Sequence, residues 1–176
     1  NWGESAWQPR NTGLPTTLGN GLAFIGSALN DIDTAYVAGQ REDESPMIYK
    51  TTNGGTSWQS VLQVQQNLNI ETGWAGHQGD RQWSYGGGTV GFAVAPFDKN
   101  RAAFTDYGFI HLTTDGGTSW RQAYLKHEDR NPAGASTPKG KTYRSNGLED
   151  TSCWWLLWST VSHIFGCYTD IRGART

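Results

Sequence analysis

The sequence has few charged residues, little sulfur and no long apolar run. Asp, Glu, Lys and Arg make up 17% of the 176 residues, and the formal net charge is −2. Binding to nucleic acid is not predicted, because it needs a clearly basic chain and this one carries a small negative charge. No apolar stretch approaches the roughly 18 residues that a membrane helix needs, so no membrane span is expected.

Cofactor and metal motifs are also lacking. The glycines 86–88 are not followed by the Lys-Ser/Thr pair of a phosphate-binding loop. The four histidines are too scattered for a metal site, and two cysteines do not make a zinc site. We therefore predict neither a cofactor nor a metal. The sequence is instead rich in glycine (23), tryptophan (9) and tyrosine (7), which favours a turn-rich, all-β protein.

An octapeptide occurs twice. Residues 113–120 read Thr-Thr-Asp-Gly-Gly-Thr-Ser-Trp, residues 51–58 read Thr-Thr-Asn-Gly-Gly-Thr-Ser-Trp, and the two tryptophans are 62 positions apart. A shared motif at one spacing predicts a repeat architecture. The Asp-Gly-Gly and Asn-Gly-Gly segments are typical of hairpin turns, because glycine accepts a positive φ and Asp or Asn can bond the backbone of its own turn.

This motif resembles the Asp-box, or bacterial neuraminidase repeat, which lies between the third and fourth strands of β-propeller blades. The resemblance implies blades of four antiparallel strands, with Asn53, Trp58, Asp115 and Trp120 as structural residues. Related propellers include sialidases, xyloglucan-active glycoside hydrolases and sortilin-like receptors. In these families the box lies on the face opposite the ligand site.

The repeat spacing divides the chain into blades and connections. Because a propeller typically has four to eight blades, we expect a fragment of a larger propeller, whose remainder comes from the same or another chain. The absence of a signal peptide before Asn1 fits a processed chain or a piece of a longer one. The predicted segments are the end of a preceding blade (1–18), blade one (19–64), a connection (65–88), blade two (89–125), a second connection (126–149) and the first half of blade three (150–176).

Two aspartates occupy equivalent places after the second strands of blades two and three. Asp106 lies in Thr-Asp-Tyr-Gly and Asp170 in Thr-Asp-Ile-Arg-Gly-Ala. The second sequence resembles the Thr-Asp-Ile-Gly-Gly-Ala motif of the xyloglucan-active hydrolases, whose Asp is catalytic, although Arg172 replaces a glycine. The resemblance makes Asp170 and Asp106 candidate catalytic residues. The alternative is that each Asp caps its own turn.

The first connection contains a cluster of aromatic and polar residues that suits a sugar. Aromatic rings can stack on sugar rings while the polar groups bond hydroxyls. The candidate ligand-binding residues are Trp74, His77, Asp80, Arg81, Trp83 and Tyr85. The alternative is that this loop folds its aromatic side chains onto the neighbouring blade.

The two cysteines lie on the first two strands predicted for blade three. If the hairpin is centred on Thr160, Cys153 and Cys167 face each other across the strands. A disulfide is then possible, at a Cβ separation slightly beyond the usual range. Two free thiols are an equal alternative.

Together these features predict a glycan-binding or glycan-hydrolysing propeller from a secreted, periplasmic or cell-surface protein. If it is an enzyme, it is a glycoside hydrolase, which needs two carboxylates. The alternative is a non-catalytic propeller that binds protein partners or forms a surface assembly. The two hypotheses differ in whether a second carboxylate meets Asp106 or Asp170 across an open cleft.

Overall fold

The computed structural model describes residues 6–17, 21–147, 153–168 and 172–175. Its regular structure is β-strand apart from three short 3-10 turns, at Gln65–Asn67, Trp83–Tyr85 and His127–Asp129. The strands form three separate sheets, and within each blade consecutive strands are hydrogen-bonded neighbours. The predicted all-β class of antiparallel propeller blades is confirmed. No helix among the described residues has the length and apolar character to cross a membrane.

Blade one is a four-stranded antiparallel meander. Its strands are β1 (Gly21–Ser27), β2 (Ala35–Gln40), β3 (Pro46–Thr51) and β4 (Gln59–Ser60). The fourth strand ends at Ser60. The Val61 carbonyl accepts bonds from the side chains of Trp120 (2.9 Å) and Asn69 (2.8 Å), and Leu62 and Val64 enter the core.

Blade two has the same meander with one additional strand. Its strands are β6 (Gly91–Ala95), β7 (Asp98–Thr105), β8 (Ile110–Thr113) and β9 (Trp120–Gln122). The strand β5 (Ile70–Glu71), in the connection from blade one, runs parallel to β9. The connection predicted as a loop therefore adds a fifth strand to the sheet.

Blade three contains β10 (Cys153–Thr160), β11 (His163–Tyr168) and β12 (Arg172–Arg175). The predicted facing of the two cysteines is wrong, because β10 is irregular at both ends and its partners shift. Cys153 pairs with Tyr168, and Cys167 pairs with Trp155. Cys167 is a free thiol, and the side chain of Cys153 lies outside the described part of the structure.

The blades stack face to face, with β6 between β1 and β10. The larger core lies between blades one and two and includes Tyr36, Ile48, Leu62, Phe104 and Trp120. A smaller core between blades two and three contains Ala103, Ile110 and Leu156. These apolar contacts hold successive blades together.

The Asp-box turn of blade one is closed by its own side chains. Asn53 Oδ1 accepts bonds from the Thr51 hydroxyl (2.9 Å) and the Ser57 N–H (3.0 Å), while its amide donates to the Ser57 hydroxyl (2.9 Å). The Gly55 N–H donates to Thr51 Oγ1 at 2.9 Å. Gly55 has φ +81°, a left-handed conformation that suits glycine.

Blade two repeats these bonds with a carboxylate in place of the amide. Asp115 Oδ1 accepts from the Thr113 hydroxyl (2.8 Å) and the Ser119 N–H (2.9 Å), and Oδ2 accepts from the Ser119 hydroxyl (2.6 Å). Burial alone would raise the pKa of Asp115, but the bonds from Ser119 and Thr113 outweigh it and hold that pKa below its usual value. This turn is therefore built for an ionised carboxylate.

The tryptophan that ends each octapeptide bonds to the chain preceding its blade. Trp120 is buried, and its indole N–H donates to the Val61 carbonyl of blade one at 2.9 Å. Trp58 is half-buried, and its indole N–H donates to the Arg10 carbonyl at 2.9 Å. The same residue of the repeat thus fixes two successive junctions.

Candidate functional site

The loops that carry the candidate site residues meet on one face of the segment. The first connection crosses the turn between β7 and β8, where the Tyr107 N–H donates to the Gly86 carbonyl at 2.7 Å. The Asp-box turns instead contact the turns between the first and second strands, as in the 2.9 Å bond from the Gly54 N–H to the Asp33 carbonyl. The two kinds of loop therefore lie at opposite ends of the strands.

Asp106 is buried and caps the turn between β7 and β8. Its Oδ1 accepts bonds from the N–H groups of Gly108 (2.9 Å) and Phe109 (2.6 Å), and its Oδ2 lies 2.8 Å from His111 Nε2. Gly86 covers it so closely that a Cβ there would lie 2.6 Å from the carboxyl carbon of Asp106. This geometry supports the turn-capping alternative for Asp106. Asp170 lies outside the described residues.

A buried asparagine holds in place the part of the first connection from residue 74 to residue 85, which we call the aromatic loop. Asn67 Oδ1 accepts bonds from the His77 N–H and the Trp83 indole, each at 2.9 Å. Its amide donates to the Ala135 carbonyl (3.0 Å) and the Thr137 hydroxyl (3.2 Å) of the second connection. One amide therefore joins both long connections into a single layer above the blades.

The first cleft on this face has a volume of about 620 Å³, and we call it the Trp83 cleft. It lies between the loop joining β2 to β3, the segment after β4, and the aromatic loop. Polar groups surround the half-buried ring of Trp83, and the Ser45 hydroxyl lowers the pKa of Asp43 by donating to it at 2.6 Å. The polar lining side chains include Arg41, Asp43, Ser60, Gln63, His77 and Gln82.

A second cleft of about 400 Å³ lies beside the aromatic loop, and we call it the Tyr143 cleft. It is lined by Trp74, Asp80, Arg81, Tyr124, Lys141, Tyr143 and Ser145. The loop therefore divides the predicted ligand group, with His77 and Trp83 in one cleft and Trp74, Asp80 and Arg81 in the other. The backbone of Tyr85 ends a 3-10 turn, and its side chain is outside the described part of the structure.

The aromatic loop also contacts blade two. This contact agrees with the alternative that the loop folds its aromatic side chains onto the neighbouring blade. Trp74 meets Phe109 edge to face, with ring centroids 5.0 Å apart. Trp83 packs against the core between blades one and two, 5.9 Å from the ring of His111. Each tryptophan thus has one part in a core and another facing a cleft.

Sequence reasoning missed Arg41, Asp43 and Asn67. The position of the segment 41–45 between the second and third strands was the available signal for Arg41 and Asp43, because that loop shares a face with the connections. Asn67 carried no such signal, since asparagine is common in loops. Among the described residues, no three His, Cys, Asp or Glu side chains are grouped to hold a metal ion.

The chain is similar in structure to an ancestral GH74 enzyme, a β-propeller glycoside hydrolase, with a TM-score of 0.51 and 19% identity. The similarity covers 93% of this chain and 15% of that enzyme's chain, so this chain spans a small part of the enzyme's length. No family model and no curated protein matches the sequence. Together with the observed meanders, the similarity shows a segment of β-propeller fold.

Proposed function

We propose that this chain is part of a glycan-binding propeller and that the Trp83 cleft holds the sugar. The observation that carries the proposal is a cleft of about 620 Å³ with one fixed aromatic ring amid hydrogen-bonding side chains. Binding pockets commonly combine apolar or aromatic walls with a few placed polar groups. A pyranose ring suits such a wall, because its C–H face is apolar and its rim carries hydroxyls.

The bond from the Trp83 indole to Asn67 limits rotation of this ring before any ligand arrives. A wall fixed in advance loses less conformational entropy on binding than a mobile one. Arg41 and Gln82 supply donors, and ionised Asp43 supplies acceptors, for the sugar hydroxyls. This arrangement favours a neutral, hydroxyl-rich ligand.

Hydrolysis is a further part of the proposal, and it rests on Asp170 and on the similarity to the GH74 enzyme. Asp43 is the only carboxylate among the described residues that line the Trp83 cleft. Glycosidases generally use two carboxylates on either side of the scissile bond. Binding is therefore the function that the described residues support best, and catalysis needs Asp170 to act with a second carboxylate.

Binding of xyloglucan oligosaccharides to the full chain tests the proposal. We expect W83A to weaken binding about tenfold, the effect of losing roughly 1.4 kcal/mol of contact energy. W83F retains an aromatic face and should lose less. W7A is the matched control, because Trp7 is 95% exposed and lines neither cleft. Equal affinities of W83A and W7A in calorimetric titrations contradict the proposal.

A non-catalytic scaffold is the second candidate, and the outer face of blade three favours it. Trp155 (66% exposed), Leu157 (57%) and Phe165 (39%) present apolar surface there. Such a surface suits a protein partner or another part of a propeller. Sedimentation of the full chain tests this candidate. Self-association that W155S abolishes, with no xyloglucan binding, favours the scaffold over the glycan receptor.

We also propose that the protein is exported, since its candidate ligand is an extracellular polysaccharide. This proposal continues the sequence expectation of a secreted, periplasmic or cell-surface location. Fractionation of the source cells with an antibody against the chain tests it. Recovery in the cytosolic fraction alone contradicts export.

A further inference from the structure

The Tyr143 cleft is built from buried groups in the same way as the Trp83 cleft. Asn131 is 4% exposed, and its amide donates to the Tyr143 hydroxyl and the Gly73 carbonyl, each at 2.9 Å. Its Oδ1 accepts a 2.9 Å bond from Lys141 Nζ. One buried amide thus positions both the phenol and the ammonium group of this cleft.

Lys141 brings a positive charge that no carboxylate contacts among the described residues. Its ammonium donates to two uncharged oxygens, Asn131 Oδ1 (2.9 Å) and the Asp129 carbonyl (3.1 Å), and lies 4.7 Å from the centre of the Tyr143 ring. The Asp129 carboxylate is bonded by Arg144, at 2.8 and 3.0 Å, and this bond is the main cause that lowers the pKa of Asp129 to about 2, with a smaller contribution from the charge of Lys141. An ammonium has three donors, so a further acceptor can join Lys141.

The charged side chains that line this cleft are those of Asp80, Arg81 and Lys141. Lys141 and Arg81 are cationic, and Asp80 is the single carboxylate. One oxygen of Asp80 accepts a 2.8 Å bond from the Gly140 N–H. The Trp83 cleft is different, since its Arg41 is matched by Asp43. The Lys141 ammonium therefore offers a donor to an anion in the Tyr143 cleft, and the tryptophan and tyrosine of this cleft favour a ring.

We propose that the Tyr143 cleft binds the carboxylate-bearing sugar of an acidic glycan. Lys141 would receive the carboxylate in a charge-assisted hydrogen bond, with Trp74 and Tyr143 beside the sugar ring. The inference rests on the proposed function only in taking the ligand to be a sugar. It adds a second class of sugar residue, a uronic acid, at a separate site.

The test compares two probes that differ by one carboxylate, cellobiose and cellobiouronic acid. Titrations of the full chain are followed by NMR of the indole N–H signals, with the signals of Trp74 and Trp83 assigned from W74F and W83F. We expect the acid to move the Trp74 signal and to bind at this site about tenfold more tightly than cellobiose. K141M should remove that preference, and K141R should retain it.

Lys139 supplies the matched control, because it is an exposed lysine two residues away that lines neither cleft. K139M should leave the preference for the acid unchanged. Equal affinities for the acid and cellobiose in the unaltered chain overturn the inference, whether or not K141M folds. An equal loss in K139M and K141M also overturns it, because general surface charge then explains the binding. Failure of xyloglucan to move the Trp83 signal contradicts the proposed function alone.

Discussion

The two faces of this propeller segment differ in how their loops are held. On the Asp-box face, both turns use the same bonds at the same positions of the octapeptide. On the opposite face, the turn and connection of each blade differ in length and sequence, and the two long connections interlock through Asn67 and Asn131. Repetition is therefore kept where a turn only has to close, and variation occurs on the face that contains the two clefts.

The largest expected effect comes from breaking the junction that Trp120 makes. We expect W120A to lower the free energy of unfolding by about 3–5 kcal/mol, because it removes a fully buried indole and its bond to Val61. W58A should cost less, about 1–2 kcal/mol, since Trp58 is half-buried. Urea titrations of both variants measure the difference. A larger loss in W58A contradicts the ranking of the two junctions.

The next effect distinguishes Asn67 and Asn131, the two buried asparagines on the face opposite the Asp-box turns. N67G should lower the free energy of unfolding by about 3 kcal/mol, because it leaves buried partners of the amide unpaired. N67A should cost about 1 kcal/mol more, since residue 67 has φ +51°. At Asn131, which is not among the positive-φ residues, alanine should instead be tolerated better than glycine. Urea titrations compare the four variants, and the same order of alanine and glycine at both sites contradicts this explanation.

The smallest effect concerns the one chemical difference between the Asp-box turns. The pKa of Asp115 is lowered from 3.8 in the folded protein, so its carboxylate adds stability above pH 3.8 that is lost as the pH falls through the lowered value. D115N should therefore be slightly less stable than the unaltered chain at pH 7, and this difference in stability should disappear below pH 3.8. Thermal melts of both proteins between pH 2 and 7 measure the difference in stability.

The reverse exchange is the matched control for that titration. N53D places a carboxylate in the turn of blade one, where Ser57 offers the same N–H and hydroxyl. This variant should acquire an additional loss of stability in acid. A gap between D115N and the unaltered chain that stays constant with pH contradicts the role assigned to the Asp115 charge.

The sequence by itself determined the turns and the class of fold. The octapeptide closes the same turn in both blades, because its Asp or Asn bonds residues two before and four after it and all the partners are local. Local chemistry was sufficient for these features.

Only the tertiary structure decided the site. Asn67 and Thr137 are 70 positions apart, and Lys141 lies 61 positions from Asp80 in the same cleft. No local pattern indicates that these residues meet, or that Asp106 lies beneath Gly86. The register of Cys153 and Cys167 was also beyond the sequence, because irregularities in a strand depend on the sheet it joins. Contacts between distant segments form only when the blades stack, and they determined which predicted residues share a cleft.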